Sequence, residues 1–193
     1  MNLIRTYKKD DEEIQIFVDE DPPNPRDWDN LGKMVCFHKR YNLGDKVDLD
    51  SNSFNGWEEL KQYLIKEKKA IVILPIFMYD HSGITINTTG FSCPWDSGQI
   101  GFIYTTVEDI KNEYKIKRIT KKIENEVVKR LKGEIETYDK YLTGDIYCFF
   151  KVKKLKCKSC NHTTEEVIDS CGGIFDIEKV KEYTNFEGFI EVK

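Results

Sequence analysis

The segment Ala70-Ile71-Val72-Ile73-Leu74-Pro75-Ile76-Phe77-Met78-Tyr79 is the longest apolar run in this chain of 193 residues. It follows the charged residues 66–69 and is followed by Asp-His-Ser-Gly. A run that is rich in isoleucine and bounded by charged and turn-forming residues is typical of a buried β-strand. Proline has no amide hydrogen to donate, so Pro75 predicts a bulge or an unpaired edge at that point. We therefore predict a central strand here.

Shorter patterned segments on both sides of this run predict further strands and two main helices. Apolar residues recur every three or four positions over 119–142, which indicates one long helix, and a second helix is predicted over 56–69 with Asn55 as its cap. Thr106 and Asp109 have the spacing of a capping box. Strand-like patterns occupy residues 14–18, 34–38, 84–88, 100–105, 146–155, 166–170 and 189–192. Together, these strands and helices predict an α+β fold, with a mainly antiparallel sheet and two main helices packed on one face.

Length and composition are those of an ordinary globular protein. The chain is 39% hydrophobic and 12% aromatic, which excludes the disordered, collagen-like and membrane classes. We predict a single domain over residues 1–193, with a small cysteine-containing hairpin at residues 151–175. The charged stretch 8–13 interrupts the apolar segment that a secretory signal needs, so we expect a cytoplasmic protein with no membrane partner.

Charge is unevenly distributed along the chain, although the formal net charge is only −4. Residues 1–30 contain nine acidic and four basic side chains, whereas residues 111–132 contain nine basic and three acidic ones. Residues 151–158 add five lysines and no acid. We interpret this as an acidic front and a basic back half, although solvated helix faces give the same pattern. The candidate contacts to phosphate groups are Lys121, Lys122 and Lys129.

The densest group of chemically special residues directly follows the apolar run. A cysteine enzyme needs a thiolate beside an imidazole, and a further group that orients the imidazole. Cys93, His81 and either Asp80 or Asp96 could supply these roles in a hydrolase or transferase. Their order and spacing match no recognisable signature of a cysteine hydrolase. In the structural interpretation the segment is a glycine-rich hairpin whose Trp95 fills the core.

A second polar segment precedes the apolar run. His38 and Arg40 would point to the same side of a predicted strand. Arg40 and Asp45 could pair, either as a clamp for a phosphate or carboxylate group or as a buried ion pair that only fixes the loop. We expect residues 38–45 and 80–99 to pack together, because buried polar groups require partners. The candidate binding residues of the two segments are His38, Arg40, Tyr41, Asp45, His81 and Trp95.

Six cysteines in a chain expected to be cytoplasmic indicate thiols or metal ligands rather than disulfides. Cys157 and Cys160 have the spacing of one zinc knuckle, and His162 and Cys171 could complete a set of four ligands. A second pair of ligands with knuckle spacing is missing from the sequence. We therefore predict free thiols on an exposed hairpin, no cofactor and no stoichiometric zinc. The alternative is a zinc-stabilised protein that binds nucleic acid.

A resemblance is carried by the segments PRDWDNLG (25–32), HKRY (38–41), LGD (43–45), YDHSG (79–83), CPWDSGQ (93–99), ETYDKYLTGD (136–145) and DSCG (169–172). They resemble segments of a group of small proteins that are carried by phages and mobile elements of Gram-positive gut bacteria. No functional residue can be assigned from this resemblance. It implies a genetic context, since small accessory phage proteins often interfere with host defence, including CRISPR effector complexes.

These observations lead us to expect a non-enzymatic accessory protein of a phage or mobile element. Such a protein, acting in the cytoplasm of the host bacterial cell, would bind and inhibit a nucleic-acid-centred defence system, as anti-CRISPR proteins do. Its partner would be a host defence protein or ribonucleoprotein complex, with contact to nucleic acid through the basic segments. The cysteine/histidine enzyme and the zinc-stabilised nucleic-acid binder stay as alternatives.

Overall fold

The computed structural model describes residues 1–160 and 162–192. Residue contacts divide the chain into two compact units, of which the first comprises Met1–Pro23 with Lys140–Lys193 and the second comprises Asn24–Asp139. Each unit contains an antiparallel sheet accompanied by helices, so the predicted α+β class with mainly antiparallel strands is confirmed. The strands are distributed over two sheets. The single domain over residues 1–193 stays a prediction.

The helices and strands have the following bounds within the described residues. The strands are β1 (Leu3–Lys9), β2 (Glu12–Val18), β3 (Lys33–Cys36), β4 (Ala70–Asp80), β5 (Ile84–Asn87), β6 (Ser97–Thr106), β7 (Tyr147–Lys156), β8 (Thr163–Ile174) and β9 (Ile190–Glu191). The helices are α1 (Trp57–Lys66), α2 (Val107–Tyr114), α3 (Lys121–Thr143) and α4 (Val180–Tyr183).

The first unit is built on a sheet with the strand order β8-β7-β2-β1-β9, in which neighbours are antiparallel. Ile14, Ile16 and Phe149 are almost fully buried and pack with Val180 of α4. Strand β8 lies at one edge of the sheet, and its residues 163–170 are exposed. The hairpin β7–β8 therefore combines a buried base with an exposed end.

The second unit is built on a sheet with the strand order β3-β6-β4-β5, and β4 is the predicted central strand. Within the described residues β5 pairs only with Phe77–Asp80, so Pro75 has a strand partner, Phe102 of β6, on one side only. The register of β4 against β6 also shifts between Ile76 and Phe77. An open edge and an adjacent bulge are what a residue without an amide hydrogen requires.

The two main helices bury one stripe of side chains each. Leu60 and Leu64 of α1 pack into a cluster with Val35 of β3 and Phe102 of β6. The long predicted helix is α3, whose buried side chains are Val127, Leu131, Ile135 and Tyr138. The predicted capping box at the start of α2 is present, since Thr106 and Asp109 exchange hydrogen bonds. Among the described residues, no helix has the length and apolar character that a membrane span requires.

Some local expectations are wrong. Asn55 does not cap α1, because Gly56 occupies that position at a φ of 130° and no side chain caps the helix. Trp95 does not fill the core, because 92% of its surface is exposed. The sequence pattern also misses β1, in which Arg5 and the polar Thr6 interrupt the apolar side chains.

Candidate functional site

His38 organises a turn that follows β3 in the second unit. Strand β3 ends at Cys36, so His38 and Arg40 do not share a strand face as expected. Instead, the Nδ1 atom of His38 accepts hydrogen bonds from the backbone amides of Arg40 and Tyr41, each at 3.3 Å. Its ring also stacks on Tyr41, with centroids 5.1 Å apart and planes inclined by 11°. His38 is therefore occupied in fixing the turn.

An ion pair joins this turn to the end of the central strand. The Arg40 guanidinium donates to the Asp80 carboxylate, and the Tyr41 hydroxyl lies 3.4 Å from the same carboxylate. The structure thus brings residues 38–45 and 80–99 together, as the sequence predicts. The Asp80 side chain is 15% exposed and the Arg40 side chain 67% exposed. The arginine of the pair is therefore accessible to solvent, whereas the carboxylate is mostly buried.

Asp45 pairs with Arg26 and not with Arg40. Two guanidinium nitrogens of Arg26 donate to the two carboxylate oxygens of Asp45 at 2.8 and 3.0 Å, and Arg26 is 3% exposed. A further Arg26 nitrogen lies 3.5 Å from Glu134 of α3. Burial raises the pKa of Glu134, against the lowering effect of the amides of Gly32 and Leu31 and of Arg26. The arrangement matches the alternative in which a buried ion pair fixes the loop, with a different arginine.

His81 and Cys93 share one acceptor. His81 Nδ1 lies 3.2 Å from Asp96 Oδ2, and the Cys93 sulfur lies 3.9 Å from the same oxygen. Among the described residues no hydrogen bond joins Cys93 to His81. A cysteine enzyme requires the imidazole between the thiol and the carboxylate, so that the thiol proton passes to nitrogen. Here the carboxylate lies between the two other groups, so the geometry does not support the catalytic interpretation.

An aromatic side chain contacts His81, and others line a cleft. Tyr79 stacks on His81 with centroids 5.9 Å apart and contacts Phe91 at 5.7 Å. Residues of the His38 turn also line a cleft of about 460 Å³. Its lining includes Phe37, His38, Tyr41, Phe54 and Trp57, together with Asn42 and Ser51.

Sequence analysis misses the cleft, because its aromatic residues come from two separate segments and residues 42–55 have the composition of a polar loop. Cys36 also lines the cleft. Burial raises the pKa of the Cys36 thiol to about 12, so this thiol is not a nucleophile at neutral pH.

Charges of opposite sign neutralise each other within the sheet of the first unit. Strand β2 lies beside β7, and the acidic residues near β2 pair with lysines of β7. Glu12 is 2.9 Å from Lys151, Glu13 is 2.6 Å from Lys154, and Asp11 is 3.4 Å from Lys153. The interpretation as an acidic front and a basic back half is therefore wrong for these two segments, because distant parts of the sequence become adjacent strands.

The basic segment, defined here as residues 115–132, behaves differently. Its charges lie in the second unit, on the loop before α3 and the first turns of α3. Among the described residues only Lys121 of its exposed cations has an acidic partner, Glu124 at 3.0 Å. The exposed cations are Lys115, Lys117, Arg118, Lys121, Lys122, Lys129 and Lys132. This segment therefore keeps its positive charge available to a partner.

The cysteines of the proposed metal site are not all brought together. Cys157 and Cys160 lie in the exposed turn between β7 and β8, and His162 lies at the same turn, where its carbonyl accepts a hydrogen bond from the Cys157 amide. Hydrogen bonds from the Ser159 hydroxyl and from the amides of Cys160 and Ser159 lower the pKa of Cys157 to about 6. Cys171 stands opposite Phe149, seven positions along β7 from Lys156, which places it roughly 23 Å from the turn. Among the described residues, no group of three or more candidate ligands is suited to hold a metal ion.

Most candidate residues thus fall into three places: the cluster around Asp80 and Asp96, the basic segment and the β7–β8 turn. Asp45, which pairs with Arg26, and Cys171, in the body of the β7–β8 hairpin, lie outside them. Comparison of the chain with models of protein families, with curated proteins and with solved structures gives no match.

Proposed function

We propose that the protein acts by binding, as a non-enzymatic accessory protein that occupies and inhibits a nucleic-acid-centred defence complex of a host bacterium. The observation that carries this proposal is the basic segment, whose exposed cations have few acidic partners among the described residues. The phage or mobile-element context comes from the resemblance of the sequence, which supports the choice of a defence complex as target.

The arrangement of charges on α3 suits contact with a phosphate backbone. Lys122 and Lys129 are seven residues apart, so they lie on the same side of the helix. Leu131 is buried on the opposite side, which leaves both lysines exposed to solvent. A cation that neutralises a phosphate group releases a condensed counterion, and this release favours binding. The basic segment therefore offers a sequence-independent contact to DNA, RNA or a ribonucleoprotein.

The cluster around Asp80 supports binding rather than catalysis. His38 is occupied by two backbone amides, and the Cys93 thiol faces Asp96 instead of an imidazole. The exposed Arg40 and Trp95 leave a planar cation and a large aromatic ring on the surface. Such side chains are enriched where proteins meet partners. We assign this cluster to contact with the protein component of the target.

Charge reversal with a matched control tests the proposal. The probe is a fluorescent RNA–DNA heteroduplex of about 20 base pairs, the length held by effectors of the Cas9 type. The test variant carries Lys121→Glu, Lys122→Glu and Lys129→Glu, and the control carries Lys46→Glu, Lys66→Glu and Lys179→Glu. Both change the net charge equally, and all six lysines are exposed. We expect the test variant to lose at least about tenfold in affinity and the control to lose much less. Equal losses in the two variants would contradict the assignment.

A further inference from the structure

The turn between β7 and β8 places two thiols at the exposed end of a hairpin. Cys157 and Cys160 are free and exposed. The Cys157 amide donates to the carbonyl of His162 at 2.8 Å, which closes the turn. The Ser159 hydroxyl lies 3.1 Å from the Cys157 sulfur. A hydrogen bond at a sulfur orients it as a metal ligand.

Two thiols are half of a structural zinc site. Zinc in such sites takes four ligands in a tetrahedron, and a Cys-x-x-Cys turn supplies two of them. Cys171 lies roughly 23 Å away along the hairpin, so it cannot be a third ligand without unfolding of the strands. His162 also lies at the turn, but within the described residues no three candidate ligands are arranged to hold a metal ion. The two thiols therefore leave a four-ligand site incomplete, and a second molecule can supply the other ligands.

We propose that Cys157 and Cys160 of two copies of this chain bind one zinc ion between them, in a four-thiolate site on the two-fold axis of a dimer. Each chain loses its two thiol protons when the metal binds. A two-fold axis makes the contact self-complementary, so that each copy supplies the same surface. This inference does not depend on the proposed binding function, and it departs from the sequence-based expectation that Cys157 and Cys160 are free thiols without zinc.

The surroundings of the turn support a second copy as the occupant. Leu155, two residues before Cys157, is a large hydrophobic residue that remains exposed. Contact between the ends of two hairpins would remove this side chain from water. Four thiolates around Zn²⁺ carry a net charge of about −2. Lys156 and Lys158 flank the thiols and have no acidic partner among the described residues, so the four lysines of two copies offset that charge.

The test measures metal content and mass of the full chain together. The purified, reduced protein is loaded with zinc, freed of excess metal and analysed by elemental analysis and by light scattering after size-exclusion chromatography. We expect about one zinc ion per two chains and the mass of a dimer, and conversion to monomer by a chelator. Substitution by cobalt should give the absorption bands of a tetrahedral thiolate site. The variant Cys157→Ser with Cys160→Ser should lose the metal and the dimer, whereas Cys171→Ser should keep both.

Several results would overturn the inference. They are a zinc-loaded monomer with about one ion per chain, absence of zinc at micromolar free metal, and a dimer that resists the chelator. Loss of zinc from the Cys171→Ser variant would do so as well. The turn residues are exposed, so the double variant should melt at the temperature of the metal-free parent. That comparison separates loss of a ligand from loss of folding.

Discussion

His81 Nδ1 lies 3.2 Å from Asp96 Oδ2, within a surface cluster in which both side chains are substantially exposed. The thiol of Cys93 approaches the same oxygen. The carboxylate therefore holds the imidazole and the thiol in place, and the imidazole does not receive the thiol proton. This arrangement favours the proposed binding protein over a cysteine enzyme.

The buried pair of Arg26 and Asp45 should be essential for the second unit. Arg26→Met leaves the carboxylates of Asp45 and Glu134 without their shared cation, so we expect the free energy of unfolding to fall by about 3–5 kcal/mol. Urea unfolding followed by tryptophan fluorescence measures this change, because all three tryptophans belong to the second unit. Arg118→Met is the control, since Arg118 is exposed, and its effect should stay within about 0.5 kcal/mol. Equal stability of the two variants would show that the pair is dispensable.

Two glycine substitutions should act in opposite directions. A Cβ atom at Gly101 would lie 1.9 Å from the Val35 carbonyl oxygen, where β6 pairs with β3, so Gly101→Ala should destabilise the second unit by about 2–4 kcal/mol. At Gly133 in α3 a Cβ atom would meet nothing within 4 Å. Gly133→Ala should therefore stabilise the protein by about 0.5–1 kcal/mol, through better helix propensity. The same fluorescence titration in urea gives both values, and a stabilising Gly101→Ala would refute the placement of β3 against β6.

Glu13 should make the stability of the first unit sensitive to acid. Burial raises the pKa of Glu13, but hydrogen bonds from Lys154 and Lys8 outweigh it and lower the pKa to about 2. A folded-state pKa below the unfolded value means that the contribution is complete above the unfolded pKa and is lost as pH falls through the folded one. We expect a loss of about 1–2 kcal/mol between about pH 5 and pH 2, which Glu13→Gln should abolish.

Far-UV circular dichroism in urea at several pH values measures this dependence. Glu166→Gln is the matched control, because Glu166 is exposed at the edge of the same sheet. The control should keep the acid sensitivity of the parent. If the free energy of unfolding of Glu13→Gln depended on pH as steeply as that of the parent, the account would be contradicted.

Binding to nucleic acid should weaken steeply with salt. The logarithm of the affinity falls with the logarithm of salt concentration by about 0.9 for each phosphate neutralised on duplex DNA. Reversal of Lys121, Lys122 and Lys129 should therefore reduce this slope by about 2–3, whereas the control reversal of Lys46, Lys66 and Lys179 should leave it nearly unchanged. Fluorescence anisotropy at several salt concentrations gives both slopes. Parallel slopes for parent and test variant would place the phosphate contacts elsewhere.

Features that depend on neighbouring residues could be predicted from the sequence. The isoleucine-rich strand β4, the helix α3 and the capping box of Thr106 and Asp109 each depend on residues close together in the chain. The meeting of the His38 and Asp80 segments was also predictable, because both contain polar groups that need partners. In these cases the local pattern of apolar residues, or the need of polar groups for hydrogen-bond partners, was sufficient for the prediction.

Features that depend on strand pairing could not be predicted in this way. Asp45 has two candidate arginines within 20 residues, and only the tertiary structure selects Arg26 over Arg40. Glu13 and Lys154 are far apart in sequence and meet because β2 lies beside β7. The aromatic cleft likewise combines side chains of separate segments. In each case the partner is set by topology, which periodicity does not encode.

The most direct test of the binding proposal compares three variants in one assay of defence inhibition, in bacteria that carry a nucleic-acid-centred defence system and are challenged with phage. The variants are Cys93→Ser, His81→Ala and the triple reversal of Lys121, Lys122 and Lys129, each checked for an unchanged melting temperature. If the protein acts by occupancy, Cys93→Ser and His81→Ala keep protecting the phage as the parent does. The triple reversal then loses protection. A folded but inactive Cys93→Ser variant, together with a fully active triple reversal, would contradict the proposal. A serine hydroxyl is a far poorer nucleophile than a thiolate, so this substitution removes the activity of a cysteine enzyme but not that of a protein that acts by occupancy.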